Sequence, residues 1–447
     1  MVLSVGPAFI FIAAVSFLGF AIFALFDRIR ITSVLPLMLI GLIIGPVLHL
    51  INTSADSTIA TLTPYIIAIA VSFVLFDVGL NIRFKSLSKV LIGATRFLFV
   101  TQIFIGLATA GLMHVFMGWS LIYSLIFGFA VSGPSTITIP MLVKKLNVSD
   151  NIKTTMVYES TISDVLQLIV PLTLIGIVLN PLSITLSSIG DGIFTQLMGG
   201  VLLGVISAFF WLYILNRFGD YSQNYSWILT VTMIIATYGI ASYIGLNSAL
   251  AVFVFGILFA NIGSRKSVTD GRVHDPLGKY FATKQDVEHT TEYQREMVFF
   301  VSTFFFVYIG LLFNISSVTY AFLAIAVVLT LIMFLVRIPL TPLLGKILST
   351  DKKTSSVEKS LIYFNIPRGL SPAIIATVPL VYGLVIPGFV NLIFLVILFT
   401  NIAFTIGVFM TYKPVAAPQQ PPASPAPAKA ASAAKASATA KAAASKT

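Results

Sequence analysis

Tyr158-Glu159-Ser160-Thr161-Ile162-Ser163-Asp164 places two carboxylates inside an apolar run that extends from about residue 152 to 178. An acid at the centre of a membrane-crossing helix costs roughly 2.5–3.5 kcal/mol on insertion scales. Such acids survive where they face a cavity or a partner, and they serve ion pathways and proton relays. On a helix Ser160, Ser163 and Asp164 share a face, being three and four positions apart, whereas Glu159 points elsewhere. The separation predicts two jobs. Asp164 is the exchangeable acid, and Glu159 is held by a fixed cation. A carboxylate in Asp164's place takes a proton or a small hard cation but not both, because either one neutralises the same charge.

Oxygen ligands for a small hard cation are expected from Asp164 and the Ser160 hydroxyl, with Ser163, Ser132 and freed carbonyls near Gly133 completing the shell. Arg368 sits in an apolar run, is charged at any working pH and needs an anion; Glu159 is the expected partner. Three further residues are candidates for the ion pathway: Asp77 in Phe76-Asp77-Val78-Gly79-Leu80, Glu296 and Arg337. For Asp77 and Gly79 a helix-end or hinge role competes with ion access. Arg337 and Arg96 read equally as internal structural charges, and His114 as a wet residue near a helix end.

The elements that must position these groups are helices in a bilayer. The chain has 447 residues, 57% hydrophobic and only 10% charged, a balance no soluble fold can bury. It has no cysteine and four histidines without metalloenzyme spacing, so thiolate sites are excluded and an enzyme is not expected, nor is a cofactor. A formal charge of +11 would suggest nucleic acid in a soluble protein, but topology accounts for it here. Thirteen apolar runs appear, at about 6–26, 34–51, 60–80, 90–116, 120–143, 152–178, 192–216, 225–243, 247–262, 296–314, 318–343, 360–381 and 386–411. Of the 27 Lys and Arg, all but Arg96, Arg337, Arg368 and Lys153, which stands at the very start of the sixth run, fall in connections after odd-numbered runs. The bias predicts an outside N-terminus, a cytoplasmic C-terminus and a multi-pass protein of the plasma membrane. The first run lacks a basic leader and a cleavage site, so it reads as a span rather than a signal.

Two runs are interrupted, by Ser132-Gly133-Pro134-Ser135 and by Pro367-Arg368-Gly369-Leu370-Ser371-Pro372. Proline removes a backbone donor and glycine tolerates the resulting geometry. Such breaks persist at bilayer depth only around a cavity or against protein, and breaks in corresponding halves mark a transporter's central site. The expected fold is therefore an all-α polytopic membrane protein of 13 transmembrane helices, with inverted repeats broken at helices 5 and 12. Outside the membrane, 263–295 reads as a cytoplasmic loop and 412–447 as a disordered tail of Pro, Ala, Lys and Ser.

Glu159-Ser160-x-x-Ser163-Asp164 and Pro367-Arg368-Gly369, with the Asp77 phrase and Arg337, resemble the monovalent cation/proton antiporter superfamily, in particular archaeal sodium/proton antiporters of the NhaP and NHE type. The resemblance implies a homodimer, with helices 1–3 (1–89) on the dimerisation side and a moving core of 90–178 and 318–411. Residues 179–317 carry helices 7–10. It also implies sodium, or a related monovalent cation, and protons as substrates, with a role in pH homeostasis; one unpaired acid between two broken helices points to electroneutral 1:1 exchange. Two departures stand out. The family's fifth-helix Thr-Asp-Pro is Ser132-Gly133-Pro134 here, and Ser163 replaces the asparagine before the essential aspartate. The first loss leaves Asp164 the only unpaired core acid, which weakens sodium affinity or changes selectivity. A potassium-selective or proton-linked solute transporter on the same fold therefore stands as an alternative, beside a transport-inactive sensor or channel-like protein.

Overall fold

The computed structural model describes residues 5–29, 32–51, 58–82, 89–143, 148–179, 186–217, 225–262, 284–347 and 356–411. Among them are fifteen α-helices and no strand. In chain order these are α1 (Val5–Ile29), α2 (Val34–Leu42), α3 (Thr58–Asn81), α4 (Lys89–Met117), α5 (Leu121–Ala130), α6 (Thr138–Val143), α7 (Asp150–Leu179) and α8 (Leu186–Arg217). They continue as α9 (Ser226–Tyr243), α10 (Ser248–Ile262), α11 (Lys284–Leu311), α12 (Tyr320–Ile347), α13 (Ser356–Tyr363), α14 (Leu370–Val381) and α15 (Phe389–Thr411). Eight are long and apolar enough to cross a bilayer by length and composition, and five shorter apolar stretches accompany them. Each of the thirteen apolar runs contains a described helix. Large apolar side chains such as Phe17, Phe20, Leu202, Phe210 and Leu331 are exposed, the arrangement a lipid solvent permits. The chain is a multi-pass helical membrane protein.

Both interruptions are real gaps in helix. The first falls between α5 and α6, around Ser132-Gly133-Pro134-Ser135 as the sequence predicts. The second lies earlier than expected, between Tyr363 and Leu370. Pro372 does not break the chain: it is the third residue of α14, where the backbone N–H has no intrahelical acceptor to lose. The expected loop 263–295 also needs correction. Its last part, from Lys284, is helical and continuous with α11, so Glu296 lies well inside a helix rather than opening one. Val287, Thr290 and Gln294 form its buried face, and Gln294 Nε2 donates to the Phe73 carbonyl at 2.8 Å. Residues 263–283 and the tail 412–447 lie outside the described residues.

Helix α7 packs on α4, α5 and α14, while α12 packs on α4 and α15. A second apolar cluster joins Phe76 and Leu80 of α3 to Trp211 and Leu212 of α8 and to Phe255 and Phe259 of α10. The α3–α10 crossing depends on two glycines. A Cβ on Gly79 would lie 2.6 Å from the Phe253 carbonyl oxygen, and one on Gly256 would lie 2.6 Å from that of Phe76. Small residues allow this approach in a bilayer, where dispersion contacts replace the hydrophobic effect between helices. This assigns Gly79 to packing. Gly256→Ala is expected to destabilise the protein by about 1–3 kcal/mol, an overpacking cost. Thermal unfolding of the purified variant measures it, and an unchanged midpoint would refute the close crossing.

Candidate functional site

The two breaks meet. Ser135 N–H in the first donates to the Pro367 carbonyl in the second at 2.9 Å. Gly369 lies against Ser135, where a Cβ would come within 2.3 Å of the Ser135 hydroxyl oxygen. The same hydroxyl accepts from the N–H groups of Ile137 and Thr138 and so caps α6, as serine commonly does where a helix restarts. Breaking two helices frees carbonyls that a bilayer cannot hydrate. Arg368 supplies the donors: its guanidinium bonds to the carbonyls of Val131 (2.5 Å), Ile366 (2.9 Å) and Ser132 (3.3 Å). Thr400 and Asn401 of α15 fix its backbone, accepting from Arg368 N–H and donating to its carbonyl.

Arg368 is therefore not the partner of Glu159, contrary to the sequence expectation. Glu159 Oε1 accepts from both terminal nitrogens of Arg337 in α12, one at 2.8 Å and the other in a closer ion pair. Its Oε2 accepts from Asn365 Nδ2 at 2.8 Å, and Arg337 Nε donates to the Asn365 carbonyl at 3.2 Å. Phe97 lies beside the guanidinium, 5.9 Å from ring centre to Cζ. The physical reason for the exchange of partners is donor supply. Arg368 spends its fork on broken-helix carbonyls, and Arg337 is the other buried guanidinium in reach of Glu159. Arg337 thus belongs to a structural network, and the pathway role considered for it is not needed.

Asp164 faces the first break, buried at 2% exposure. Its Oδ2 accepts from Thr136 N–H at 3.0 Å and from the Thr136 hydroxyl in a short bond. Its Oδ1 meets Gln167 Nε2 at 3.4 Å. Among the described residues no arginine lies within ion-pair distance of it, although Arg368 is within electrostatic range. Among the described residues, no group of three or more His, Cys, Asp or Glu could hold a metal ion. The chemistry available is that of one carboxylate among neutral donors and acceptors, able to accept a proton or a monovalent cation.

The remaining expected ligands divide. Gly133 is buried against Ser163 and Gln167, and Ser132 accepts from Gln102 Nε2 at 2.8 Å, whose amide also reaches the Ser163 carbonyl. These residues form one polar layer with Asp164. Ser160, although buried, donates its hydroxyl to the Val157 carbonyl at 2.9 Å, back along its own helix. Asp77 makes its polar contacts with Asn81 and lies within electrostatic range of Arg295. Glu296 and Arg96 are exposed. His114 Nδ1 lies 2.7 Å from the Trp119 carbonyl. Sequence reasoning missed Thr136, Gln167, Gln102 and Asn365. Gln167 had a legible signal, since it is three positions beyond Asp164 and falls on its face.

The sequence profile of the transmembrane sodium/hydrogen exchangers matches residues 12–413. Among solved structures the chain is similar to the sodium proton antiporter MjNhaP1 from Methanocaldococcus jannaschii at pH 8. The TM-score is 0.69 at 16% identity, over 91% of this chain and 97% of that one. An electron-microscopy structure of MjNhaP1 gives 0.65 at 18% identity, over 92% and 100%. At these identities the likeness is one of fold. No protein with a curated description matches.

Proposed function

This chain belongs to the sodium/hydrogen exchanger family, and from that premise we propose that it exchanges one monovalent cation, sodium first, for one proton by alternating access. Asp164 binds the two in turn. The observation that carries this reading is the division of labour between two buried acids: Glu159 is neutralised by Arg337 and bonded to Asn365, while Asp164 has only neutral partners at the crossing of the breaks. An acid compensated by arginine has no reason to trade its occupant. Asp164 does, because an empty charged carboxylate in a bilayer is costly and either ligand removes the cost. One exchangeable charge gives 1:1 electroneutral stoichiometry. The thirteen crossings, the homodimer contact through residues 1–89, the moving core of 90–178 and 318–411, and a plasma-membrane protein with its C-terminus in the cytoplasm complete the proposal.

Reconstituted vesicles with an imposed pH gradient test it. Sodium is expected to collapse the gradient, at a rate indifferent to an imposed membrane potential. A rate that follows the potential would overturn the stoichiometry. Gly133 favours a second reading, since the break offers no side chain there to bring a second charge to the ion. A response to potassium without one to sodium or lithium would select that reading. Conductance without exchange would replace both with a channel.

A further inference from the structure

We propose that the Gln167 amide, together with the Ser163 hydroxyl, forms the neutral half of the cation cradle at Asp164, so that Gln167 sets which monovalent cation is preferred. The inference rests on the reading of Asp164 as the exchanging acid.

Gln167 is fully buried, and its Nε2 faces Asp164 Oδ1 at 3.4 Å. That contact orients the amide and leaves its oxygen on the other side of the same carbon. Among the described residues this oxygen has no hydrogen-bond partner, and neither has the Ser163 hydroxyl, one residue before Asp164. The Ser371 hydroxyl faces the Asp164 carboxylate from the second break. Buried polar atoms are nearly always satisfied, and two unsatisfied oxygens beside one carboxylate point to an occupant that arrives during transport. Gly133 makes the space. The Ser163 hydroxyl oxygen lies 2.8 Å, and Gln167 Nε2 2.9 Å, from the point where a Cβ on Gly133 would stand. Any side chain at position 133 would displace both groups.

The two oxygens of Asp164 are used differently. Thr136 occupies Oδ2 with an N–H and a hydroxyl, whereas Oδ1 has only the long 3.4 Å contact from Gln167 Nε2, which an entering cation replaces as the amide turns to present its oxygen. A cation there would have one carboxylate and neutral amide and hydroxyl oxygens, the donor types that bind hard cations. The complex carries the same net charge as protonated Asp164, so cation and proton are interchangeable electrostatically. Amide and hydroxyl oxygens offer a weaker field than a second carboxylate. Their number and placement, rather than charge, then decide between cations of different size, as they do in carbonyl-lined filters.

The test is exchange in reconstituted vesicles with sodium, lithium and potassium titrated separately. Gln167→Leu keeps the bulk and removes both amide groups. It is expected to raise the apparent KM of the preferred cation by about tenfold or more, and to change the sodium-to-potassium KM ratio. Gln167→Glu keeps the oxygen, adds a charge and is expected to lower the cation KM below that of the parent. A group that merely holds α7 in place would reduce the maximal rate of all cations alike and leave the ratio untouched, which would overturn the proposal. Should Gln167→Leu not fold, Gln167→Glu decides, and an unaltered KM and ratio there overturn it equally. Asp164→Asn is run in parallel. If it exchanges normally, the underlying reading fails; if it is inactive while the Gln167 variants match the parent, only this inference fails.

Discussion

Asp164→Asn is expected to abolish cation-coupled proton movement, with a fall of at least ~100-fold, the scale on which a positioned proton-transferring side chain contributes. Asparagine preserves the size of the side chain and can still offer one oxygen to the Thr136 N–H and hydroxyl. The amide nitrogen then turns toward Gln167 Nε2, two donors face to face where a carboxylate oxygen had accepted. That local mismatch is tolerable, because the Gln167 amide can rotate and present its unpartnered oxygen. The variant should therefore purify with the elution volume and thermal midpoint of the parent, while vesicles containing it keep their pH gradient in the presence of sodium. What it loses is the charge. A folded Asp164→Asn protein that still collapses the gradient would remove Asp164 from the exchange.

Arg337→Met carries the largest expected effect on stability. Removing one member of a buried ion pair typically costs 3–5 kcal/mol, about that much because the surviving charge is left without compensation. Here the survivor is Glu159, 2% exposed and left with the Asn365 amide as its remaining donor. Adding Glu159→Gln neutralises the orphan while keeping an acceptor for Asn365, so the double variant should regain most of the loss. Arg368→Met behaves differently. It strips donors from the carbonyls of Val131, Ser132 and Ile366, an injury that no change at Glu159 repairs. Thermal unfolding of the four proteins decides the pairing. Rescue of Arg368→Met by Glu159→Gln, with none for Arg337→Met, would reverse it.

The helices were readable in the sequence because bilayer-length apolar runs have few other solutions, and the first break because Gly133-Pro134 removes both a side chain and a donor. Partnership between charges was not readable. Arg337 and Arg368 are equally isolated along the chain, and which of them meets Glu159 depends on the depth and rotation of α12 relative to α7. Proximity to a break suggested Arg368, but a break creates its own demand for donors. The N-terminal part of α11 escaped notice because its buried face is Val287, Thr290 and Gln294, of which only the first is apolar. A hydrophobic pattern cannot reveal a face that is satisfied by hydrogen bonds. Thr136 stood just outside the Ser-Gly-Pro-Ser phrase, where side-chain direction depends on how the chain leaves the turn.

The bond from Ser135 to Pro367, with Arg368 stitched to carbonyls on both sides of it, has a mechanical consequence. The interrupted segments from the two halves of the sequence are riveted at their midpoints. Neither can tilt or retract while the other stays behind without breaking those bonds. In the exchange proposed above, a stroke that turns the acid from one aqueous face to the other carries both together, and the sliding falls at the outer flanks of the pair.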